Sequence, residues 1–296
     1  MSTAPKLTHD YLISKIDELP TLPTIVYELS QIISDPMSST TDVEKIMQND
    51  QSLTTKVLRL VNSAYYAIPG GVSNLGRAIA YIGFDTIHQL VLSASIISAL
   101  DVKDTGEFDI TQFWTHSVGV GIAAETIAKT IHCPIPADLF TCGLVHDMGK
   151  MALLSIDKAS LVAITKKAEE EKLSYLEAEN SLGIPAHTKI GQILGEKWRL
   201  PQQIQAVAQY HHQDNPFSRG GISGDLSKNV DVVFLANLLV HALKFGNSGH
   251  SKILGLPQEV IKRLAIDPQD GFKTLLKEVK INLEKAAEFI RVIGGS

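Results

Sequence analysis

Apolar residues recur every three to four positions along almost the whole of this 296-residue chain, and alternating β-branched runs are nearly absent. A chain patterned this way can bury its apolar stripes only by packing helix on helix, so the expected fold is all-α. TLPTIVYELSQIISD places Ile25, Leu29 and Ile32 on one face, and SLTTKVLRLVNSAYY does the same with Leu53, Val57, Leu60 and Val61. Between them, Thr41 and Glu44 have the spacing of a capping box at the head of TDVEKIMQND. SNLGRAIAYIG and FDTIHQLVLSASIISAL follow a Pro-Gly-Gly turn and complete an N-terminal helical unit, residues 1–100. DVKDTGEFDI is polar and aperiodic and reads as a joint. Beyond it, residues 101–296 read as a second helical sub-domain. Pro185 and Pro201 bound one of its helices, and residues 213–229, rich in Gly, Ser, Asn and Asp, read as a loop, either a lid or a linker. DVVFLANLLVHALKFG and a final helix striped by Leu275, Val279, Leu283, Ala286 and Ile290 close the chain.

The length supports a large core. A net charge of -5 with both signs interspersed argues against nucleic acid or an anionic membrane as partner, since both call for a basic excess. Cys133 and Cys142 cannot staple a fold of this size. MSTAPKLTHDYL lacks the cationic head and apolar core of a secretory leader, and LVLSASIISAL is too short to span a bilayer. A cytoplasmic protein is therefore expected.

The chemistry concentrates around His146-Asp147 in CGLVHDMGKMALL. His187, Ile190 and Leu194 fall at i, i+3 and i+7, which puts the histidine on a buried stripe. Ile204, Val207 and His211 line up likewise, with His212 alongside, and His116 shares a face with Gly119 and Ala123, residues small enough to let another element come close. Taken singly, each of these histidines reads as a hydrogen-bonded core residue, and His9, His88, His132, His241 and His250 are left in that class. Taken together, His116, His146, Asp147, His187, His211 and His212 favour ligation, because a buried imidazole needs a partner for its nitrogens. Imidazole with a carboxylate suits Fe, Mn, Zn, Ni or Co better than Ca or Mg. Five histidines exceed the needs of one ion, so Asp147 could bridge two, the usual device for activating water against a phosphoester. Lys150, at i+3 from Asp147, is either a cation for a phosphate oxygen or a solvated lysine.

GLVHDMGK resembles the HD-GYP and HDOD branches of the HD superfamily. The upstream runs LPTLPTIVYELSQIISDP, IMQNDQSLTTKVLRLVNSAYY and LGRAIAYIGFDTIHQLVL resemble the HDOD domain in particular, with Asn62-Ser63-Ala64 and Ala78-Ile79 through Gly83 as part of its signature. IPAHTKIGQILGEKWRLPQQIQAVAQYHHQ continues the likeness, which covers roughly residues 18–215. The resemblance implies an HD-like helical bundle with a buried metal site, carried in a signalling or regulatory module without established catalysis. It also implies metal-ligand positions at His116, His146, Asp147, His187, His211 and His212, and at Lys150 a lysine that contacts phosphate.

The sequence departs from that pattern in informative places. Gln112 stands where HD-GYP enzymes carry a glutamate, and Asn237 where a closing aspartate is usual. The Gly-Tyr-Pro motif is absent after His212, and Gln51 replaces a proline. Amides in place of carboxylates remove negative charge from around a divalent pair. The resulting expectation is a regulator that holds one or two divalent transition-metal ions, Fe or Mn first and Zn or Ni next, through the six residues above and Asn237. It would bind a nucleotide or phosphate and act on a signalling protein in trans. The alternative is a metal-dependent phosphohydrolase using Asp147 and Lys150. A third reading keeps the histidines as a metal-free hydrogen-bond network.

Overall fold

The structure is a computed structural model that describes residues 9–33, 37–102 and 106–293. Most of the stretch expected to lack a leader, part of the expected joint, and the side chain of His9 lie outside the described residues. Among those described there is no strand, and the chain is all-α.

In chain order the helices are α1 (His9–Asp17), α2 (Thr24–Ile33), α3 (Thr40–Met47), α4 (Gln51–Val61), α5 (Leu75–Ile82), α6 (Phe84–Ala99), α7 (Ile110–Thr130), α8 (Pro136–Val145) and α9 (Met148–Ile156). They continue with α10 (Lys158–Glu170), α11 (Tyr175–Leu182), α12 (His187–Lys197), α13 (Gln202–Tyr210), α14 (Gly224–Ala242), α15 (Gln258–Arg263), α16 (Asp270–Glu284) and α17 (Ala287–Ile293). Polar side chains start many of them. Asp50, Asn74, Asp109, Asp157, Ser174 and Ser223 each accept a hydrogen bond from a backbone N–H in the first turn of the following helix.

Local structure corrects the sequence reading in four places. The cap of α3 is Ser39, whose N–H and hydroxyl both donate to Asp42, whereas Glu44 accepts from the N–H of Gly76 and ties α3 to α5. ADLFTCGLVHDMGKMALLSI is two helices, because the chain turns at His146-Asp147. The expected 213–229 loop ends at Ser223, since α14 already begins at Gly224. The closing helix is also two: α16 buries Leu275, Val279 and Leu283, and α17 buries Phe289 in place of Ile290.

Helix α7 is a central helix that packs against α8, α14, α16 and α17. It is buried almost all round, from Phe113 to Ala128. It meets α8 at Gly143, where a Cβ would stand 2.7 Å from the Val120 carbonyl oxygen. Helix α6 touches α2, α4 and α5 as well as α8, and so ties the N-terminal helices to those around α7. Among the described residues one stretch, Pro136–Ile156, is long and apolar enough to cross a membrane by length and composition, and 89% of its most apolar window is buried inside the fold.

Candidate metal centre

His146 and Asp147 occupy the turn between α8 and α9. His187 is the first residue of α12, and His211 closes α13. Three of these rings are fixed in the same manner. His146 Nδ1 donates to the Gly143 carbonyl at 2.7 Å, and His211 Nδ1 to the Val207 carbonyl at 3.0 Å. His187 Nδ1 donates to Glu179 at 2.9 Å, and the same carboxylate takes the His187 backbone N–H at 2.7 Å. A neutral imidazole that donates through Nδ1 carries its lone pair on Nε2. In their neutral form all three rings therefore turn an Nε2 lone pair to the centre, in the arrangement by which outer carbonyls and carboxylates orient metal-binding histidines.

Those acceptors converge on one carboxylate. His187 Nε2 stands 3.2 Å and His211 Nε2 3.4 Å from Asp147 Oδ1, while His146 Nε2 stands 3.3 Å from Asp147 Oδ2. His187 Nε2 is also 3.3 Å from His211 Nε2 and 3.0 Å from His212 Nε2. Ligands ~2.1 Å from a common ion at right or tetrahedral angles lie ~3.0–3.4 Å apart, the separation found here. Asp147, His187, His211 and His212 make one group able to hold an ion, and His116, His146 and Asp147 make a second. Asp147 belongs to both.

Electrostatics point the same way. Asp147 Oδ1, His146 Nε2 and His116 Nδ1 are buried without a hydrogen-bond partner. Orphaned buried polar atoms are rare, and three in one cluster fit a site built to hold a cation. Burial alone would raise the Asp147 carboxyl, but His146 and Lys150 outweigh it and hold it well below the usual range. Burial would lower His187, yet Glu179 and Asp147 raise it, so positive charge is drawn to this ring. Burial pushes His116 and His212 well down and His211 to about 4, keeping them neutral and able to ligate. A divalent ion held here would supply Lewis-acid polarisation of an oxyanion.

The remaining expected residues fall into place differently. His116 is fully buried on α7, and Asn237 Oδ1 lies 3.0 Å from its Nε2. Beside them Gly119 allows Phe245 to close in, with room for no Cβ. Lys150 is neither solvated nor free: its Nζ donates to Asp147 Oδ2 at 2.6 Å and to the Ser248 carbonyl at 3.0 Å, and it lies 4.3 Å from the centre of the Tyr175 ring. Gln112 is exposed.

Three residues of the site were not singled out from sequence. His241 stacks on His116 and His250 on His241, each with ring centres 4.4 Å apart, so both leave the class of unremarked core histidines. Asn237 and His241, at i and i+4 on α14, share a helix face, and that spacing was the available signal. Glu179 carried no signal, because EAENSL reads as a solvated face. His88, hydrogen-bonded to Ser30, and the exposed His132 stay outside the centre.

With this geometry in view, comparison with known proteins gives a family. The HDOD domain matches residues 19–214. The chain belongs to the HDOD family. Its fold is similar to an HDOD protein of unknown function from Geobacter sulfurreducens, with TM-score 0.76 and 24% identity over 95% of this chain and 99% of that one. It also resembles a proposed phosphohydrolase from Shewanella amazonensis, with TM-score 0.69 and 23% identity over 96% of each chain. A proposed signal transduction protein from Marinobacter aquaeolei gives TM-score 0.72 at 20% identity, over 99% of this chain and 62% of that one. An uncharacterized protein of Treponema pallidum is 22% identical over 271 residues, and this HDOD chain spans 50% of its length.

Proposed function

We propose that this HDOD chain is a regulatory module whose HD-like core holds one or two divalent transition-metal ions, Fe or Mn first, and whose residues 1–100 present the state of that core to a signalling protein in trans. One observation supports the metal: two imidazole Nε2 atoms and a carboxylate oxygen converge within 3.4 Å of one another, the separation of ligands that share one ion. Helix α12 supports the relay. It begins at His187, and ~16 Å along its axis Lys197 donates to the Ile16 carbonyl, while Trp198 donates to the Pro20 carbonyl and accepts from Tyr27. A ligand that shifts His187 therefore acts on the far end of a rigid rod that grips α1 and α2.

Weak or absent turnover is favoured by the ligand set. Asn237 stands where a carboxylate would add charge, and Lys150 is held by Asp147 and Ser248. The second reading, a metal-dependent phosphohydrolase, is favoured by Asp147 lying in both ligand groups, as a bridge between two ions requires. Both roles have been proposed for proteins of this fold.

Metal content by elemental analysis, on protein purified without nickel or chelator and on His146→Ala, tests the centre. One to two equivalents lost in the variant are expected. A wild type that stays metal-free after loading with Fe, Mn and Zn overturns it. Metal-dependent hydrolysis of generic phosphoesters, abolished in both His146→Ala and Asp147→Ala, would establish the enzyme over the regulator.

A further inference from the structure

The loop after His211-His212 is held as a rigid bracket. Arg219 is fully buried. It donates through Nε and Nη2 to the Gln213 carbonyl at 3.0 and 2.6 Å, through Nη1 to the Ser227 carbonyl at 2.8 Å, and through Nη2 to Asp231 Oδ1 at 2.6 Å. Arg263 grips the other oxygen of Asp231 at 2.7 Å and donates to the Asp214 carbonyl at 2.6 Å. Both feet of the loop are thus tied to α14 and α15. Its tip is the 3₁₀ turn Pro216–Ser218, where Asn215 Oδ1 accepts from the Phe217 N–H at 3.0 Å. This support presents Phe217 95% exposed. An aromatic side chain held out on an already ordered backbone loses little further freedom on contact, which is the condition for an interface anchor.

A hole for this knob lies beside it on the same chain. A cavity of about 300 Å³ opens between the start of α11, one face of α14 and the irregular segment 251–257, and Leu176, Phe234, Leu238 and Leu254 form its apolar wall. A cavity of ~150 Å³ already takes benzene, so a phenyl ring fits. Asp214 lines the same cavity, and from Asp214 to Phe217 the chain spans at most ~11 Å, so knob and hole stand side by side. A twofold axis between them brings the Phe217 of each copy to the cavity of the other, and both contacts form at once. Area fits this occupant. One buried aromatic contributes ~150–250 Å², and Ile253, Leu254 and Leu256 are exposed along the rim. Together they supply about half of the ~800 Å² per partner of a stable interface, which is the apolar share such interfaces have.

We propose that this chain forms a twofold dimer in which Phe217 of each copy inserts between Leu176, Phe234, Leu238 and Leu254 of the other. His211 and His212 line the same cavity, so each copy places a side chain in the approach to its neighbour's histidine cluster. The dimer follows from the loop and the apolar face alone and does not rest on the metal reading.

Sedimentation velocity of the full chain tests it. At about 50 μM the wild type is expected to be a dimer, since association in the micromolar range is ordinary for a face of this size. Phe217→Ser and Leu254→Asp, both at exposed positions, are each expected to weaken the dimer roughly tenfold or more at unchanged thermal stability. Ile281→Asp changes another exposed apolar residue, on α16, and is expected to leave the dimer as it is. The knob-in-hole register is read by mixing Phe217→Cys with Leu254→Cys. Oxidation is expected to link the two variants to each other and to leave Phe217→Cys alone unlinked. A monomeric wild type overturns the proposal and leaves Phe217 to a different protein. A dimer indifferent to both Phe217→Ser and Leu254→Asp overturns it as well, as does a disulfide formed between two copies of Phe217→Cys, which would mean that the loops meet tip to tip.

Discussion

The carboxylate of Glu179 receives both the backbone N–H and the Nδ1 of His187, at 2.7 and 2.9 Å, and thereby aims His187 Nε2 at Asp147. Both residues are fully buried. The pair joins the start of α12 to α11 and makes the ring a stronger base. Glu179→Gln keeps the size and removes the charge. Metal affinity is expected to fall about tenfold, the lower end of the range for second-layer partners. Chelator competition checks this, with thermal unfolding to confirm that the fold survives.

Lys150 is the buried counter-charge of Asp147. In metal-free protein, Lys150→Met leaves a buried carboxylate without its cation, and a loss of roughly 3–5 kcal/mol is expected. Bound metal would replace that cation. The loss should therefore shrink when unfolding is followed in saturating Mn. An identical loss with and without Mn would show that the ion does not sit on Asp147.

Gly149 sits where α9 crosses α12. A Cβ there would overlap the His187 carbonyl oxygen and stand 2.7 Å from the Gly191 nitrogen, and both are backbone atoms with nowhere to go. Gly149→Ala is expected to cost about 1–3 kcal/mol or more and to weaken metal binding, because it pushes His187 away from Asp147. Urea unfolding and elemental analysis together read both effects.

Asp138, in the first turn of α8, gives a pH signature. Burial, then the nearby Asp85, raises its carboxyl from 3.8 to about 6, against a hydrogen bond donated by Gln89 at 2.6 Å. Between those values the unfolded chain has lost the proton that the folded chain keeps. The contribution to stability is thus complete below about pH 4 and lost as pH rises through about 6. Asp138→Asn does not titrate. Its Tm relative to wild type should rise between pH 4 and pH 7, and a flat difference would mean that Asp138 ionises normally.

Much of the centre was legible because its histidines follow the helical period. His187 repeats with Ile190 and Leu194, and His211 with Ile204 and Val207, and all six are buried as that spacing requires. The cap of α3 was misread because Ser39 and Asp42 offer the same spacing two residues earlier, and backbone geometry alone decides between them. The turn at His146-Asp147 carries no proline, and the break before α17 follows no sequence breaker, so neither was visible as a boundary.

What the sequence determined by itself is the helical fold and the family, because periodicity and local motifs act over a turn or two of chain. It also supplied the identities of six residues that converge in two groups able to hold an ion. Only the tertiary structure decided which way each ring faces, since the anchors at Gly143, Val207 and Glu179 fix the Nε2 atoms through hydrogen bonds that no spacing rule encodes. It also decided that Lys150 serves Asp147, and that His241 and His250 join the centre while Gln112 stays at the surface. Those outcomes depend on how α7, α9, α12 and α14 cross, and small side chains such as Gly119 and Gly149 let them approach that closely.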